Sequence, residues 1–177
     1  TGSTLNKMVW RFLAGSDVSV AKFCSRDIDS RLSGREKSAI DAWLQSGKLF
    51  HVIRDHPSHS KYAMSGGLWC ATHNAIPDIT TLLVNSQIGH EYVDDMKFLN
   101  REVWPIASRS VLQHDSFPSH KFGDVVPFPI SRVDWEHVGS VYIDGEMREK
   151  DVDLLRDAIY LREFSYEGDL TSAFRQW

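Results

Sequence analysis

Hydrophobic residues recur along the chain with a period near 3.6 in some stretches and near two in others, which predicts helices alternating with strands. Each apolar stretch ends at small or polar residues, which set its approximate bounds. The predicted helices cover 8–13, the segment between Ser33 and Gly47, 77–84, a segment from 91 onward and 149–164; the predicted strands cover 20–24, 49–53, 111–113 and 138–143. This order favours an α/β fold.

The clearest local signal belongs to the helix after Ser33. Ser33 and Glu36 have the spacing of a capping box, in which each side chain bonds the other residue's backbone N–H. Apolar residues then follow at helical spacing, and Gly47 is suited to the left-handed turn that ends many helices. Trp43 is predicted to lie on the buried face of this helix.

Polar clusters follow two of the predicted strands, at 26–31 and at 54–59. In open α/β sheets, ligands bind beyond the carboxyl ends of the strands. The first cluster contains a D-x-D motif, Asp27 and Asp29, whose side chains can point the same way in an extended turn. Converging carboxylates repel each other unless a cation lies between them, and hard oxygen ligands suit Mn²⁺ or Mg²⁺. An ordinary acidic loop is the alternative.

Composition excludes several classes of protein. With 177 residues, 42% hydrophobic and 25% charged, the chain is expected to form a single domain over 1–177, with its core at about 8–164. A net charge of −4 and a pI near 6.0 argue against nucleic acid as a partner. No apolar run is long enough to span a bilayer.

The two cysteines, Cys24 and Cys70, are too few for a disulfide framework. They are predicted to be buried free thiols, which favours a reducing compartment such as the cytoplasm. The chain begins at Thr1 rather than methionine, which is typical of a fragment or a processed piece.

Histidines and tryptophans add candidate ligand contacts. His51, His56 and His59 lack a recognisable zinc spacing, so hydrogen bonds to phosphate or sugar are favoured over a zinc site. Trp69 follows Gly66 and Gly67 and is a candidate for stacking on a ligand ring. The remaining histidines outside the predicted strands are expected at the surface, namely His73, His90, His120 and His137.

Five short motifs together suggest a family. They are S-R-D-I-D-S-R at 25–31, F-H-V-I-R-D-H-P at 50–57, S-G-G-L-W at 65–69, D-M-K-F-L-N at 95–100 and V-L-Q-H-D at 111–115. In this order they resemble the later part of the metal-dependent, GT-A-type glycosyltransferases, over about 8–143. The resemblance implies a mixed sheet flanked by helices, a nucleotide-sugar donor and an unknown acceptor.

The resemblance also implies roles for particular residues. Asp27, Asp29 and His114 would hold Mn²⁺ or Mg²⁺ against the donor's diphosphate. Asp95 and Asp55 are the candidates for general base or for stabilising the sugar in the transition state. Donor and sugar contacts would come from the residues beside these acids, namely Arg26, Arg31, Arg54, His56, Gly66, Gly67, Trp69 and Asp94.

Two features depart from the family pattern. Met96 occupies a position where glutamine is usual, which removes an amide that could bond a sugar. Only about twenty residues precede the first strand, so most of the amino-terminal nucleotide-binding half is expected to be missing. Two alternatives therefore remain: a non-catalytic carbohydrate- or protein-binding remnant of the fold, and a metal-dependent phosphoryl or nucleotidyl transferase, which also uses paired aspartates.

Overall fold

The computed structural model describes residues 6–86, 88–118 and 121–166, with side chains up to residue 161. It contains a four-stranded mixed sheet with helices packed against it, so the predicted α/β class is confirmed. The strands of this sheet are β1 (Lys22–Arg26), β2 (Phe50–Arg54), β3 (Leu68–Thr72) and β4 (Val111–Asp115). Within the described residues, no helix is long and apolar enough to cross a membrane.

Strand order and direction place the carboxyl ends of three strands at the same end of the sheet. The order is β1-β3-β2-β4, with β3 antiparallel to both neighbours and β4 parallel to β2. Strands β1, β2 and β4 therefore run the same way, and the antiparallel strand β3 begins at the end of the sheet where the other three strands finish. This end of the sheet therefore carries the segments that follow β1 and β2 and the segment that precedes β3.

Strand prediction failed in two places. The central strand β3 was not predicted, because its short apolar run follows directly on two glycines. The strand predicted at 138–143 is shorter than predicted. Val141 forms an isolated bridge with Ser30, and Tyr142–Ile143 (β5) pairs with Glu146–Met147 (β6) in a small hairpin. The Asp144–Gly145 turn has positive φ at both residues (51° and 92°), the conformation that Asp-Gly favours in tight hairpins.

Helices flank the sheet on both faces. They are α1 (Gly34–Ser46), α2 (Ile79–Asn85), α3 (Asp94–Phe98), α4 (Trp104–Ala107) and α5 (Glu149–Tyr166), with 3-10 helices at Lys7–Ser16 and Pro57–Lys61 and a π-helical turn at Leu99–Val103. The predicted caps of α1 are confirmed. The Ser33 hydroxyl accepts a hydrogen bond from Glu36 N at 3.2 Å, and Gly47 is left-handed with φ of 71°.

Alternation along the strands gives the sheet two different faces. One face buries Phe50, Val52 and Trp69 in the main core, which includes Phe12 of the 3-10 helix and Phe98 of α3. The other face carries His51, whose ring stacks on Trp43 of α1 at 5.9 Å between centroids. Trp43 is 2% exposed, so its predicted burial is confirmed. The two faces therefore contact different parts of the chain.

The prediction of free cysteines is wrong. Cys24 and Cys70 are direct partners in the β1–β3 register and form a disulfide, with 4.0 Å between their Cα atoms. Cys70 is buried and Cys24 is half-buried. Because this bond needs an oxidising environment to persist, the argument for a reducing compartment loses its basis.

Candidate functional site

Two acids from distant segments meet on one arginine. Arg11 of the 3-10 helix Lys7–Ser16 donates to a carboxylate oxygen of Asp27, just beyond β1, and to Asp95 Oδ2 at 2.7 Å. Asp27 and Asp95 are 16 and 84 residues from Arg11 in the sequence. We call these three residues, with Gly66 and Gly67, the Arg11 cluster.

The two glycines let the backbone before β3 approach both acids closely. A Cβ atom at Gly66 would lie 2.3 Å from Asp95 Oδ2, and a Cβ atom at Gly67 would lie 2.3 Å from Asp27 Oδ2. Neither position therefore tolerates a side chain without a shift of its neighbours. Ser25 fixes this backbone, since its hydroxyl donates to the Gly66 carbonyl at 2.6 Å. The glycines are thus required by packing within the cluster.

Charge within the Arg11 cluster is unbalanced. One guanidinium faces two carboxylates, and the hydrogen bonds and charges of those carboxylates raise the pKa of Arg11 against the lowering effect of its burial. The Asp95 side chain is 3% exposed, whereas that of Asp27 is 53% exposed. The cluster is therefore closed at Asp95 and open to solvent at Asp27, where a cationic or hydroxyl-bearing ligand has access.

Oxygen donors at the open side suit a hard divalent cation. Asp27 is half-exposed, and Asp29 lies two residues later in an exposed turn whose carbonyl accepts a hydrogen bond from Tyr142 N at 3.1 Å. Carboxylate oxygens of this kind are the ligands that Mg²⁺ and Mn²⁺ prefer. These two acids fit the implied metal in chemistry and access. The buried Asp95 carboxylate is already bonded to Arg11 and to Met96 N at 2.7 Å.

Comparison with known proteins gives no family to which the chain can be assigned. No protein-family model, curated protein or solved structure matches it. A function for this chain therefore has to be inferred from the geometry and chemistry of its own side chains.

The predicted third metal ligand, His114, does not lie with the acids. It is 1% exposed on β4, the strand at the opposite edge of the sheet from β1. Its Nδ1 lies 2.7 Å from His51 Nε2, on the face that packs against α1, whereas Arg11 and Asp95 belong to the opposite face. Strand alternation causes this separation, so the prediction of His114 as a ligand beside Asp27 and Asp29 is wrong.

The buried His51–His114 pair predicts a pH dependence of stability. Burial lowers the pKa of His51 to about 3, helped by His114. Burial and the charge of Arg35 lower the pKa of His114 to about 4, although Asp55 opposes this. Unfolded histidines have a pKa near 6.5, so below that pH these two residues bind protons in the unfolded chain but not in the folded chain. The free energy of unfolding should therefore fall from pH 6.5 to about 4, by at most about 1.4 kcal/mol per pH unit for each histidine.

Denaturant unfolding at several pH values tests this expectation. The His114→Gln variant should show a shallower dependence between pH 4 and 6.5 than the wild type, because it has one histidine fewer to protonate on unfolding. The exposed His90 provides the control, and His90→Gln should keep the wild-type slope. Equal slopes in all three proteins would mean that the pair is not held neutral in the fold.

The arginines predicted to contact a donor are engaged elsewhere. Arg26 pairs with the buried Glu36 at 2.5 Å and donates to Ser30 Oγ at 3.0 Å. Arg31 is exposed, stacks on the Tyr142 ring at 3.9 Å and donates to the Gly145 carbonyl. These contacts anchor the D-x-D turn to α1 and to the β5–β6 hairpin. Of the two arginines, only Arg31 keeps substantial access to solvent.

Arg54 and Asp55 form the centre of a buried polar network. Arg54 is 1% exposed and donates at 2.6 Å to each of three oxygens, those of Asp115, Gln113 and the Ala63 carbonyl. Asp55 is fully buried. Its carboxylate accepts hydrogen bonds from Arg35, Arg132, Ser116 Oγ and Val138 N. The predictions of Arg54 as a donor contact and Asp55 as a general base are therefore wrong, because both side chains are buried and bonded to other groups of the protein.

Three other predicted contacts also have structural roles. Trp69 is 1% exposed and packs edge-to-face on Phe12 and Phe23, because strand alternation turns it into the core. Asp94 accepts from Glu91 N at 3.0 Å and pairs with Lys97, as expected of an acid at a helix start. His56 is buried and bonds Ser58 and the Asp151 carbonyl. These residues do not belong to the Arg11 cluster.

Arg11 itself was not identified from the sequence. One signal was available, since Arg11 is a single charged residue within the apolar run 8–13 and a charge there needs a partner. Arg35 and Arg132, the partners of Asp55, were also missed. His137 is buried rather than at the surface as predicted, and His120 lies outside the described residues.

Proposed function

We propose that this chain transfers a hexose from a nucleotide-diphosphate sugar to an acceptor, with Mn²⁺ or Mg²⁺, at the Arg11 cluster. The observation that carries the proposal is the convergence of Asp27, Gly66–Gly67 and Asp95. These residues come from three of the five motifs that resemble GT-A-type glycosyltransferases, and they are far apart in sequence. The mixed sheet is then the later part of a GT-A-like fold.

The metal ion would bind at the open side of the cluster. Asp27 and Asp29 would hold it, since both offer oxygens with access to solvent. When bound, a divalent cation supplies Lewis-acid stabilisation of the negative charge on a departing diphosphate. Asp27 and Asp95 carry two negative charges and Arg11 one positive charge, so the net charge of these three side chains is −1. This charge favours a further cation beside Asp27.

The protein groups at the closed side would orient the sugar. Gly66 and Gly67 have no side chains, which lets the Asp95 and Asp27 carboxylates pack against the backbone before β3 and fixes both acids beside the sugar position. Asp95 is held in one orientation by Arg11 and by Met96 N, and it would act by holding the Arg11 guanidinium beside the open side of the cluster. Arg11 bonds both Asp95 and Asp27, and so it would lie close enough to a diphosphate bound beside Asp27 to interact with it.

Isothermal titration calorimetry with a panel of nucleoside diphosphates, with and without Mn²⁺, tests the proposal. We expect binding of at least one nucleotide that requires Mn²⁺ and is lost in Asp29→Ala. The control is Lys37→Ala, which removes an exposed charge on α1 whose partner is Asp41. Binding that is independent of metal, or unchanged in Asp29→Ala, would contradict the proposed metal site.

A second candidate function is a non-catalytic carbohydrate-binding remnant of the fold. It is favoured by Arg11, whose guanidinium already bonds both Asp27 and Asp95 and so supplies a cation between them without a metal. In that case sugars would bind without Mn²⁺ and no nucleoside diphosphate would be released from a nucleotide sugar. Release of nucleoside monophosphate and pyrophosphate would instead indicate a phosphoryl or nucleotidyl transferase.

A further inference from the structure

Three histidines from two distant segments meet beside the buried network of Asp55. His56 and His59 belong to the 3-10 helix Pro57–Lys61 and its cap, and His137 lies in the loop between β4 and β5. One nitrogen of each ring lies within 4.8 Å of the corresponding nitrogens of the other two. We call His56, His59 and His137 the three-histidine cluster. Across the described parts of the chain, no other group of three histidine, cysteine or acidic side chains has this spacing.

Two ring nitrogens of this cluster lack a partner. Nδ1 of His59 and Nδ1 of His137 are buried and make no hydrogen bond. Buried polar atoms are normally bonded, and an unpaired one carries a desolvation cost. The three rings pack against one another, with centroids 4.3 to 5.7 Å apart. Nitrogen lone pairs in a buried position are suited to coordinating a metal ion that prefers nitrogen ligands.

The electrostatic surroundings favour neutral rings without repelling a cation. Burial lowers the pKa of all three histidines, that of His137 to about 4, so their nitrogens are free of the extra proton at neutral pH. Arg132 and, for His59, Arg54 are nearby cations, but they are paired with Asp55 at 2.8 Å and with Asp115 at 2.6 Å. Asp151 adds a second negative charge near His56 and His137.

We propose that His56, His59 and His137 bind Zn²⁺, with the fourth position of a tetrahedral site left to water. Zinc–nitrogen bonds are about 2.0–2.1 Å, which places ligand nitrogens about 3.4 Å apart, so the observed spread closes by about 1.5 Å at most. His56 exchanges one of its present bonds, to Ser58 or to the Asp151 carbonyl, for the metal. Imidazole is a preferred ligand for zinc and its neighbours in the transition series, whereas Mn²⁺ and Mg²⁺ prefer oxygen.

The bound ion would join the loop after β4 to the sheet. That loop has little regular structure, and the apolar cluster beneath it is small, with buried Ile53, Leu68 and Val138 and the partly buried Phe128 packed against them. A metal that ties His137 to the segment after β2 would compensate for this small core, as structural zinc does in other small cores. The role is separate from the proposed transfer reaction and does not depend on it.

Titration of chelator-treated protein with Zn²⁺, followed by calorimetry and thermal unfolding, tests the proposal. We expect one ion per chain and a melting temperature raised by about 5 °C or more when free zinc exceeds its Kd a hundredfold. Co²⁺ should give the visible absorption of a tetrahedral, nitrogen-ligated site. His59→Gln and His137→Gln should each weaken zinc binding by more than about tenfold.

Two control variants separate this site from others. His90→Gln removes an exposed histidine, and Asp29→Ala removes a ligand of the proposed Mn²⁺ site; both should bind zinc as the wild type does. If His59→Gln and His137→Gln fail to fold, the stoichiometry and Co²⁺ spectrum of the wild type decide the question. Absence of one-to-one binding in the wild type, or unchanged affinity in folded cluster variants, would overturn the proposal.

Discussion

Replacing Asp55 with alanine is expected to lower the free energy of unfolding by about 3–5 kcal/mol, because the change leaves buried charges without their partner. Asp55 is fully buried and accepts hydrogen bonds from Arg35, Arg132, Ser116 Oγ and Val138 N, at 2.5 to 3.0 Å. The side chains of Arg35 and Arg132 are each 13% exposed, so neither finds full compensation from water. Denaturant unfolding at neutral pH measures the loss.

The exposed pair of Asp41 and Lys37 supplies the matched control for Asp55→Ala. Asp41 is 46% exposed and contacts one lysine one turn away, so Asp41→Ala should cost no more than about 0.5 kcal/mol. The comparison also distinguishes two roles for Asp55. If Asp55→Ala were as stable as the wild type but lost activity, Asp55 would be a functional acid, as the family resemblance implied, rather than the centre of a structural network.

Sequence patterns were most informative where the physical cause is local. The ends of α1 depend on Ser33 and Gly47, which act on backbone groups within a few residues, and both have their predicted roles. The Glu36 side chain does not complete the predicted capping box, because its carboxylate pairs with Arg26, beyond the helix. The alternation of strands and helices was also visible, since it depends on the burial of one face of each element. Bounds were less accurate: β1 begins at Lys22 rather than at 20, α3 at Asp94 rather than at 91, and β5 at Tyr142 rather than at 138.

Features that depend on pairing between distant segments were not predictable in this way. The disulfide follows from the register that places Cys24 opposite Cys70, and that register required the unpredicted strand β3. The burial of Trp69 depends on the same strand, because pairing decides which face it points to. Neither feature is encoded in the few residues around it.

The candidate site was predicted in part, and there is a physical reason why some of its residues were predicted and others were not. The five motifs suggested that Asp27 and Asp95 would meet, and they do, but through Arg11 rather than through a cation shared with His114. The motifs carry no information on which face of the sheet a residue occupies. That face is set by strand alternation, which separates His114 from the acids.

Replacing Asp95 with asparagine is expected to reduce transfer activity by about a hundredfold or more with little loss of fold. The amide keeps the shape and the acceptor oxygen for Met96 N, but it loses the negative charge that holds Arg11 in position. The measurement is the Mn²⁺-dependent release of nucleoside diphosphate from a panel of nucleotide sugars, with the wild type and the variant compared side by side. Circular dichroism checks that the variant is folded.

Asp94→Asn is the matched control for this prediction, because both acids lie in the first turn of α3 and affect the helix terminus alike. Asp94 bonds only within its own segment, to Glu91 N and Lys97, whereas Asp95 reaches Arg11 across 84 residues of sequence. Activity should therefore fall in Asp95→Asn and persist in Asp94→Asn. Equal losses would assign the effect to the helix start, and full activity in Asp95→Asn would remove the buried carboxylate from the mechanism and leave Asp27 and Asp29 as the only acids at the site.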